Sequence, residues 1–324
     1  MSPPGASPTP RKTGTIALTG GTGLVGGILV PMLLERGHEL RILVRPRKGR
    51  ELPPARGIRW IEGRLDEPEP IRRLVHGADM ILHAAYLHPE DSPVPGRSMA
   101  EHWVQTNFVG SMRLLECTPG TTWKQFVYVS SLAVYGGDPN LDPLGDRFAR
   151  DEDFPLWPRE FYGSMRSAVE RLVITAAHAY GLNTSVFRLG HVLGLRDPWR
   201  SSPLCPTVEE AVRFGEIRTA VGSYALSAED AAEILADAVG DDSLRGAVFN
   251  TFDRWLDHSD VAPIVAEELG RPIGVRCGPA IEPRSPILGG RIRERRKVWR
   301  TGRAVSDLAR ELARRLARPS AGES

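Results

Sequence analysis

The feature that most constrains this chain is TGGTGLVG at Thr19–Gly26, which follows the apolar run TIAL and opens an apolar helical stretch. Gly20, Gly23 and Gly26 recur at three-residue spacing. Such a turn lets the backbone approach a diphosphate, whose charge is met by free amides and by the positive end of the helix. That makes Gly20, Thr22, Gly23, Leu24, Val25 and Gly26 candidate phosphate-binding residues. The placement between strand and helix separates this turn from a chance glycine cluster. Pro31 falls inside the helix, where it removes a backbone donor and predicts a kink.

Beyond this turn the pattern repeats as strand and helix. ELRILVR, GIRWIEG, ADMILHAA at Ala78–Ala85, QFVYVSS at Gln125–Ser131 and NTSVFRLG at Asn183–Gly190 read as strands. Apolar residues recur at helical spacing over Trp103–Cys117 and Tyr162–Tyr180. Alternation of this kind predicts an α/β protein, a Rossmann-type doubly wound parallel sheet with a smaller C-terminal substrate lobe. The expected division is a flexible leader at 1–13 and a dinucleotide-binding domain at 14–190, to which 225–252 return. A substrate lobe with a basic C-terminal helix follows at 191–224 and 253–324. Two irregular stretches, Leu87–Met99 and Gly136–Pro158, are too long for ordinary connections and read as loops that either shape a site or are disordered.

Charge and cysteine content narrow the function classes. Four of the 42 basic residues are Lys, and twelve of them fall between Arg284 and Arg318 against three acids, which leaves −7 for the rest of the chain. This basic segment has no nucleic-acid-reading motif, and Leu308, Leu312 and Leu316 recur at helical spacing, so it reads as a helix packed on the protein. Cys117, Cys205 and Cys277 have neither disulfide nor metal-ligand spacing, and no metal site is expected. No apolar run approaches the roughly 20 residues of a membrane span, and the opening segment has no apolar core of a secretory signal. A soluble, cytoplasmic protein is the expectation.

The second strand ends in Arg45, where a fold that prefers NAD carries an acid for the ribose hydroxyls. Arg47, Lys48 and Arg50 follow. A 2′-phosphate would meet cations there, so NADP(H) is expected in preference to NAD(H), which remains possible.

Taken in order, these motifs resemble the extended short-chain dehydrogenase/reductase superfamily, also called the NAD-dependent epimerase/dehydratase family. The resemblance runs over about Thr15–Asp253. It rests on TGGTGLVG, His83-Ala84-Ala85, Asn107-X-X-Gly110, VSSLAVYG at Val129–Gly136, Tyr162-Gly163-Ser164, FRLGHVLG, the ED pair before an Ala-rich helix, and VFN. It implies that Tyr162 is an acid/base and that Ser131 hydrogen-bonds the substrate oxygen. A family lysine four residues after the tyrosine holds the nicotinamide ribose and favours the phenolate. Arg166 stands in that place here. It keeps the charge but cannot relay a proton. Asn107 matches the family's helix asparagine, an ordering or a packing residue. The resemblance further implies Arg64, Leu65, Ala84, Ala85, Val129, Leu189 and His191 along the cofactor, and a homodimer paired through two helices.

His191 replaces an asparagine typical of relatives that act on nucleotide sugars, and a Gly-Asp-Gly stretch of theirs is absent, which disfavours such a substrate. Tyr86, His88, Trp157 and Phe161, with His191, are candidate contacts for a partly apolar small molecule. The leading expectation is an NADP(H)-dependent oxidoreductase working on a carbonyl or hydroxyl. A redox-neutral epimerase, dehydratase or cyclase with bound nucleotide, and a non-catalytic nucleotide sensor, remain as alternatives.

Overall fold

The computed structural model describes residues 13–46, 55–87, 99–116, 124–136, 149–196, 199–280 and 286–318. The strands are β1 (Thr15–Thr19), β2 (Glu39–Val44), β3 (Ile58–Glu62), β4 (Met80–His83), β5 (Gln125–Ser131), β6 (Thr184–Leu189), β7 (His191–Leu193), β8 (Glu216–Ile217), β9 (Gly222–Ser227), β10 (Ala247–Thr251), β11 (Arg254–Asp257) and β12 (Gly274–Val275). Seven of them form one sheet in the order β10-β6-β5-β4-β1-β2-β3. The pairs β1–β2, β1–β4, β2–β3 and β4–β5 are parallel, and the order reverses at β1, as in doubly wound folds.

Helices alternate with these strands: α1 (Leu24–Glu35), α2 (Pro68–Val75), α3 (Met99–Trp103), α4 (Gly110–Glu116) and α5 (Phe161–Tyr180). α1 runs on through Pro31. The helix expected over Trp103–Cys117 is not uniform, because Val104–Val109 between α3 and α4 wind as a π-helix. Such a widened turn re-aims side chains, and here it carries Asn107. Further on are α6 (Cys205–Phe214), α7 (Ala228–Ala238), α8 (Ala262–Leu269), α9 (Gly290–Arg295) and α10 (Thr301–Ala317).

The chain divides into two compact units. The first holds residues 1–130, 165–186 and 232–248, the second 131–164, 187–231 and 249–324. The core on one face of its sheet is built from Ala17, Ile61, Ile71, Leu74, Ile81, Phe126, Tyr128 and Val173, while Ile16, Leu18, Leu40 and Ile42 are buried on the other face of the parallel strands. The second contains a three-stranded sheet, β11-β9-β7, and a core in which Leu308, Leu312 and Ala313 of α10 pack with Leu204, Val208 and Val265. Leu308 and Leu312 are therefore buried in their own chain, with Leu316 partly buried against the same core. Asp230, fully buried in α7, fastens the approach to α10, accepting from the Arg296 side chain and from the Arg300 amide at 2.8 Å.

Candidate active site

In the first unit the glycine turn closes on itself, with the Gly23 amide donating to the Gly20 carbonyl at 2.8 Å. Gly20 has φ +81°, and a Cβ on it would lie 2.8 Å from the Ala84 and Ala85 backbone. A Cβ on Gly26 would lie 2.1 Å from the Gly20 carbonyl oxygen. Only glycine fits either place, so the turn is drawn tight against the end of β4. α1 begins at Leu24 with no side-chain cap, leaving the Leu24, Val25 and Gly26 amides at its positive end. This cradle fits a dinucleotide diphosphate.

The wall beside the turn is held by one directional chain of hydrogen bonds. The Ala85 amide donates to Thr19 Oγ1 at 3.2 Å, and Thr19 Oγ1 lies 2.6 Å from His83 Nδ1. His83 Nε2 lies 2.7 Å from Ser111 Oγ, whose proton goes to the Asn107 carbonyl. Because Ser111 donates onward, His83 donates from Nε2 and accepts at Nδ1, which defines a neutral imidazole. Burial, with the positive charge of Arg166, lowers the His83 pKa to about 3. Asn107 Oδ1 accepts from the Leu87 amide at 2.8 Å and its Nδ2 donates to the Leu87 carbonyl at 3.0 Å. Asn107 thus orders the backbone that leaves β4.

Arg166 is 6% exposed. It donates from Nη1 to the Val129 carbonyl at 2.8 Å, and its guanidinium lies 4.2 Å from the centre of the Tyr86 ring. Val129 and Tyr86, expected along cofactor and substrate, both bear directly on Arg166. Leu65 is buried in the core, with Gly110 packed on its backbone. Arg64 reaches Asp66 at 3.2 Å and His102 at 3.0 Å. Arg45 is exposed just beyond β2. An open recess of about 780 Å³ lies past the ends of β2 and β3, and Glu62, Glu67, Glu69 and Arg73 are among the residues that line it. Glu67 accepts from the Arg64 amide and Glu69 from Arg72. Arg47 and His88 lie outside the described residues.

In the second unit Ser131 ends β5, and its Oγ accepts from the Ala133 amide at 3.2 Å, capping a short turn over Leu132–Tyr135. Tyr162 stands half-buried in the first turn of α5. A Cβ on Gly163 would lie 2.3 Å from the Ala133 carbonyl oxygen. The glycine after Tyr162 therefore seats the start of α5 directly on the turn that Ser131 caps. Trp157 and Phe161, 51% and 47% exposed, flank this seat, and the Trp157 amide donates to the Val134 carbonyl at 3.0 Å. Leu189 is buried in β6. His191 opens β7 with its edge exposed yet protein around it, and this loss of hydration lowers its pKa.

Sequence reasoning missed three parts of this arrangement. These are the Thr19–His83–Ser111 chain, the Tyr86 platform under Arg166, and a second histidine, His258. The last is 1% exposed and bonded to Ser223 at 2.9 Å. The His83-Ala84-Ala85 run was visible as a motif, but its partners are 28 and 64 residues away.

The reversed strand order and the glycine turn at the head of α1 define a nucleotide-binding α/β protein of the doubly wound class. The sequence model of the NAD dependent epimerase/dehydratase family matches residues 16–213, and the chain belongs to that family. It is 29% identical over 174 residues to UDP-glucose 4-epimerase of Streptomyces lividans, a match covering 52% of this chain and 50% of that protein. It is 26% identical over 282 residues to 3 beta-hydroxysteroid dehydrogenase/Delta 5-->4-isomerase of Mycobacterium tuberculosis, covering 82% and 70%. The chain thus spans about half the length of the first of these relatives and more of the second. Among solved structures, UDP-glucose 4-epimerase of Thermus thermophilus in complex with NAD superposes with a TM-score of 0.69 at 23% identity, over 91% of this chain and 99% of that one. Among the described residues no helix is long and apolar enough to cross a membrane.

Proposed function

We propose that the protein is an NADP(H)-dependent oxidoreductase that interconverts a carbonyl and a hydroxyl on a small, partly apolar organic molecule. The observation that carries this reading is the seat of Gly163 on Ala133, which packs the Tyr162 end of α5 against the Ser131 turn. The residues at the glycine turn fit the dinucleotide: the Leu24, Val25 and Gly26 amides would hold its diphosphate. When bound, the nicotinamide supplies or accepts the hydride. Ser131, whose oxygen already accepts from Ala133, has its own proton to donate to the substrate oxygen. Tyr162 gives or takes that oxygen's proton at its phenol. Arg166 supplies the fixed positive charge that the family draws from a lysine.

Preference for NADP(H) rests on exposed Arg45 and on the lack of an acid at the end of β2. The carboxylates of the neighbouring recess act against it, and Arg45→Ala decides which prevails. Exposed Trp157 and Phe161 and the histidine at position 191 support an apolar substrate rather than a nucleotide sugar. The match to a hydroxysteroid dehydrogenase over 82% of the chain agrees with this class. Pairing of two copies through α4 and α5, where Leu172 is exposed, is the expected assembly, and sedimentation tests it.

A second reading, a redox-neutral epimerase with retained nucleotide, is supported by the likeness to UDP-glucose 4-epimerase. The deciding experiment offers NADPH with ketosteroids and aromatic ketones on one side and UDP-glucose on the other. Net NADPH oxidation with a ketone supports the oxidoreductase. UDP-galactose formed without net change in nucleotide overturns it.

A further inference from the structure

We propose that Tyr86 is a positioning residue for the cation at position 166, holding its guanidinium as a fixed charge that biases a bound nicotinamide toward its reduced form. This rests on the reading above, in which Arg166 stands in place of the family's ribose-binding lysine.

The observations lie within the first compact unit. The Arg166 guanidinium lies over the Tyr86 ring at 4.2 Å, and the Val129 carbonyl takes one of its N–H groups at 2.8 Å. A guanidinium is flat and weakly hydrated, so it stacks on an aromatic face and keeps an orientation that a compact ammonium does not have. The carbonyl fixes one edge and the ring fixes the plane. Tyr86 is braced in turn. Its ring meets Trp103 at 6.2 Å in an edge-on geometry of 66°. The next residue, Leu87, is gripped at both its amide and its carbonyl by Asn107. A continuous series therefore runs from the π-helical turn through the backbone after β4 to the ring and the cation. The charge is also felt along this wall, since Arg166 adds to burial in holding His83 neutral.

The functional consequence follows from charge. The oxidised nicotinamide ring is positive and the reduced ring neutral, so a cation held in place beside the ring weakens binding of the first relative to the second. If the guanidinium swings free, water and motion screen it and the bias shrinks. Tyr86 thereby sets how strongly the site favours the reduced nucleotide, and with it the direction in which the chemistry is poised.

The test measures dissociation constants for NADP⁺ and NADPH by calorimetry on the full chain, needing no substrate. Wild-type protein is expected to bind NADPH several-fold more tightly than NADP⁺. Tyr86→Leu should reduce that ratio by roughly 2- to 3-fold, toward one, while Tyr86→Phe, which keeps the ring, should preserve it. Arg166→Ala should narrow the ratio too, and adding Tyr86→Leu to it should change nothing further. A ratio that Arg166→Ala leaves unchanged overturns the reading that this cation faces the nicotinamide, and the present proposal with it. A ratio that responds to Arg166→Ala but not to Tyr86→Leu, or that Tyr86→Phe reduces as much, overturns the role of the ring alone. Should Tyr86→Leu fail to fold, Tyr86→Phe carrying a fluorinated ring keeps the shape and weakens the face charge. It should narrow the ratio, and no change would overturn the proposal.

Discussion

The two compact units are stabilised by different kinds of contact. In the first, the strands are apolar on both faces, the turn glycines are forced by backbone proximity, and polar side chains join neighbouring strand ends, as Thr19 and His83 do at 2.6 Å. In the second, buried charges tie together segments distant in sequence. Asp230 holds Arg296 and Arg300 across 66 and 70 residues. Arg188, 2% exposed, donates to the Tyr135 hydroxyl and to the Glu152 carbonyl at 3.1 Å, and Glu152 accepts from the Asn250 amide. The comparison teaches that the nucleotide cradle is set by glycines held close to neighbouring backbone, whereas the half bearing Ser131 and Tyr162 is tied together by buried charged clamps.

The largest effect is expected where a clamp is cut. Asp230→Ala leaves the Arg296 and Arg300 groups without their buried carboxylate and should destabilise the protein by about 3 kcal/mol. Denaturant unfolding checks this, and a loss below about 1 kcal/mol would break the contrast between the units. At temperatures where the variant is folded, NADPH affinity should be nearly unchanged.

Next in size is the proton transfer proposed for Tyr162 on α5. Tyr162→Phe should reduce turnover by about 10²-fold or more on a substrate found in the panel, with nucleotide affinity almost unaltered. Full turnover in the variant would move the proton transfer to another residue. Arg45→Ala, at the edge of the first unit, should weaken NADPH about 10-fold relative to NADH, equivalent to the loss of one charge-assisted contact. Equal losses for both nucleotides would assign the preference elsewhere.

The smallest effect is in pH. Burial lowers His83 to about 3 in the first unit and His258 to about 4 in the second. The unfolded chain takes up protons on these rings below about 6.5, which the folded chain refuses, so the stability is full above that pH and is lost as pH falls toward 4. Each ring accounts for roughly 1 kcal/mol at pH 6. His258→Asn should flatten the slope of unfolding free energy between pH 7 and 5 by about one histidine's share, and an unchanged slope would contradict it.

Legibility in the sequence divides along the same line. Six strands of the main sheet and the α10 leucines were readable, because periods of 2 and 3.6 and flanking glycines are local signals. The domain that β7, β9 and β11 enter was not, since its short strands lack such a period and its clamps join residues far apart. At the candidate site, Ser131, Tyr162 and Arg166 were legible as positions. What surrounds Arg166 was not, because Tyr86 and Val129 are 80 and 37 residues away and carry no spacing signal. The helix expected over Trp103–Cys117 hid its π-helical turn for a related reason: widening by one residue leaves the apolar period almost intact, while it decides where Asn107 points.

The central claim is the proposal that net hydride transfer occurs beside Ser131 and Tyr162. It is tested most directly by the stoichiometry of NADPH oxidised per hydroxyl formed, measured with a ketone substrate on wild-type protein. The account predicts one to one, with both rates falling together in Tyr162→Phe. Product formed with no net oxidation of NADPH would contradict it.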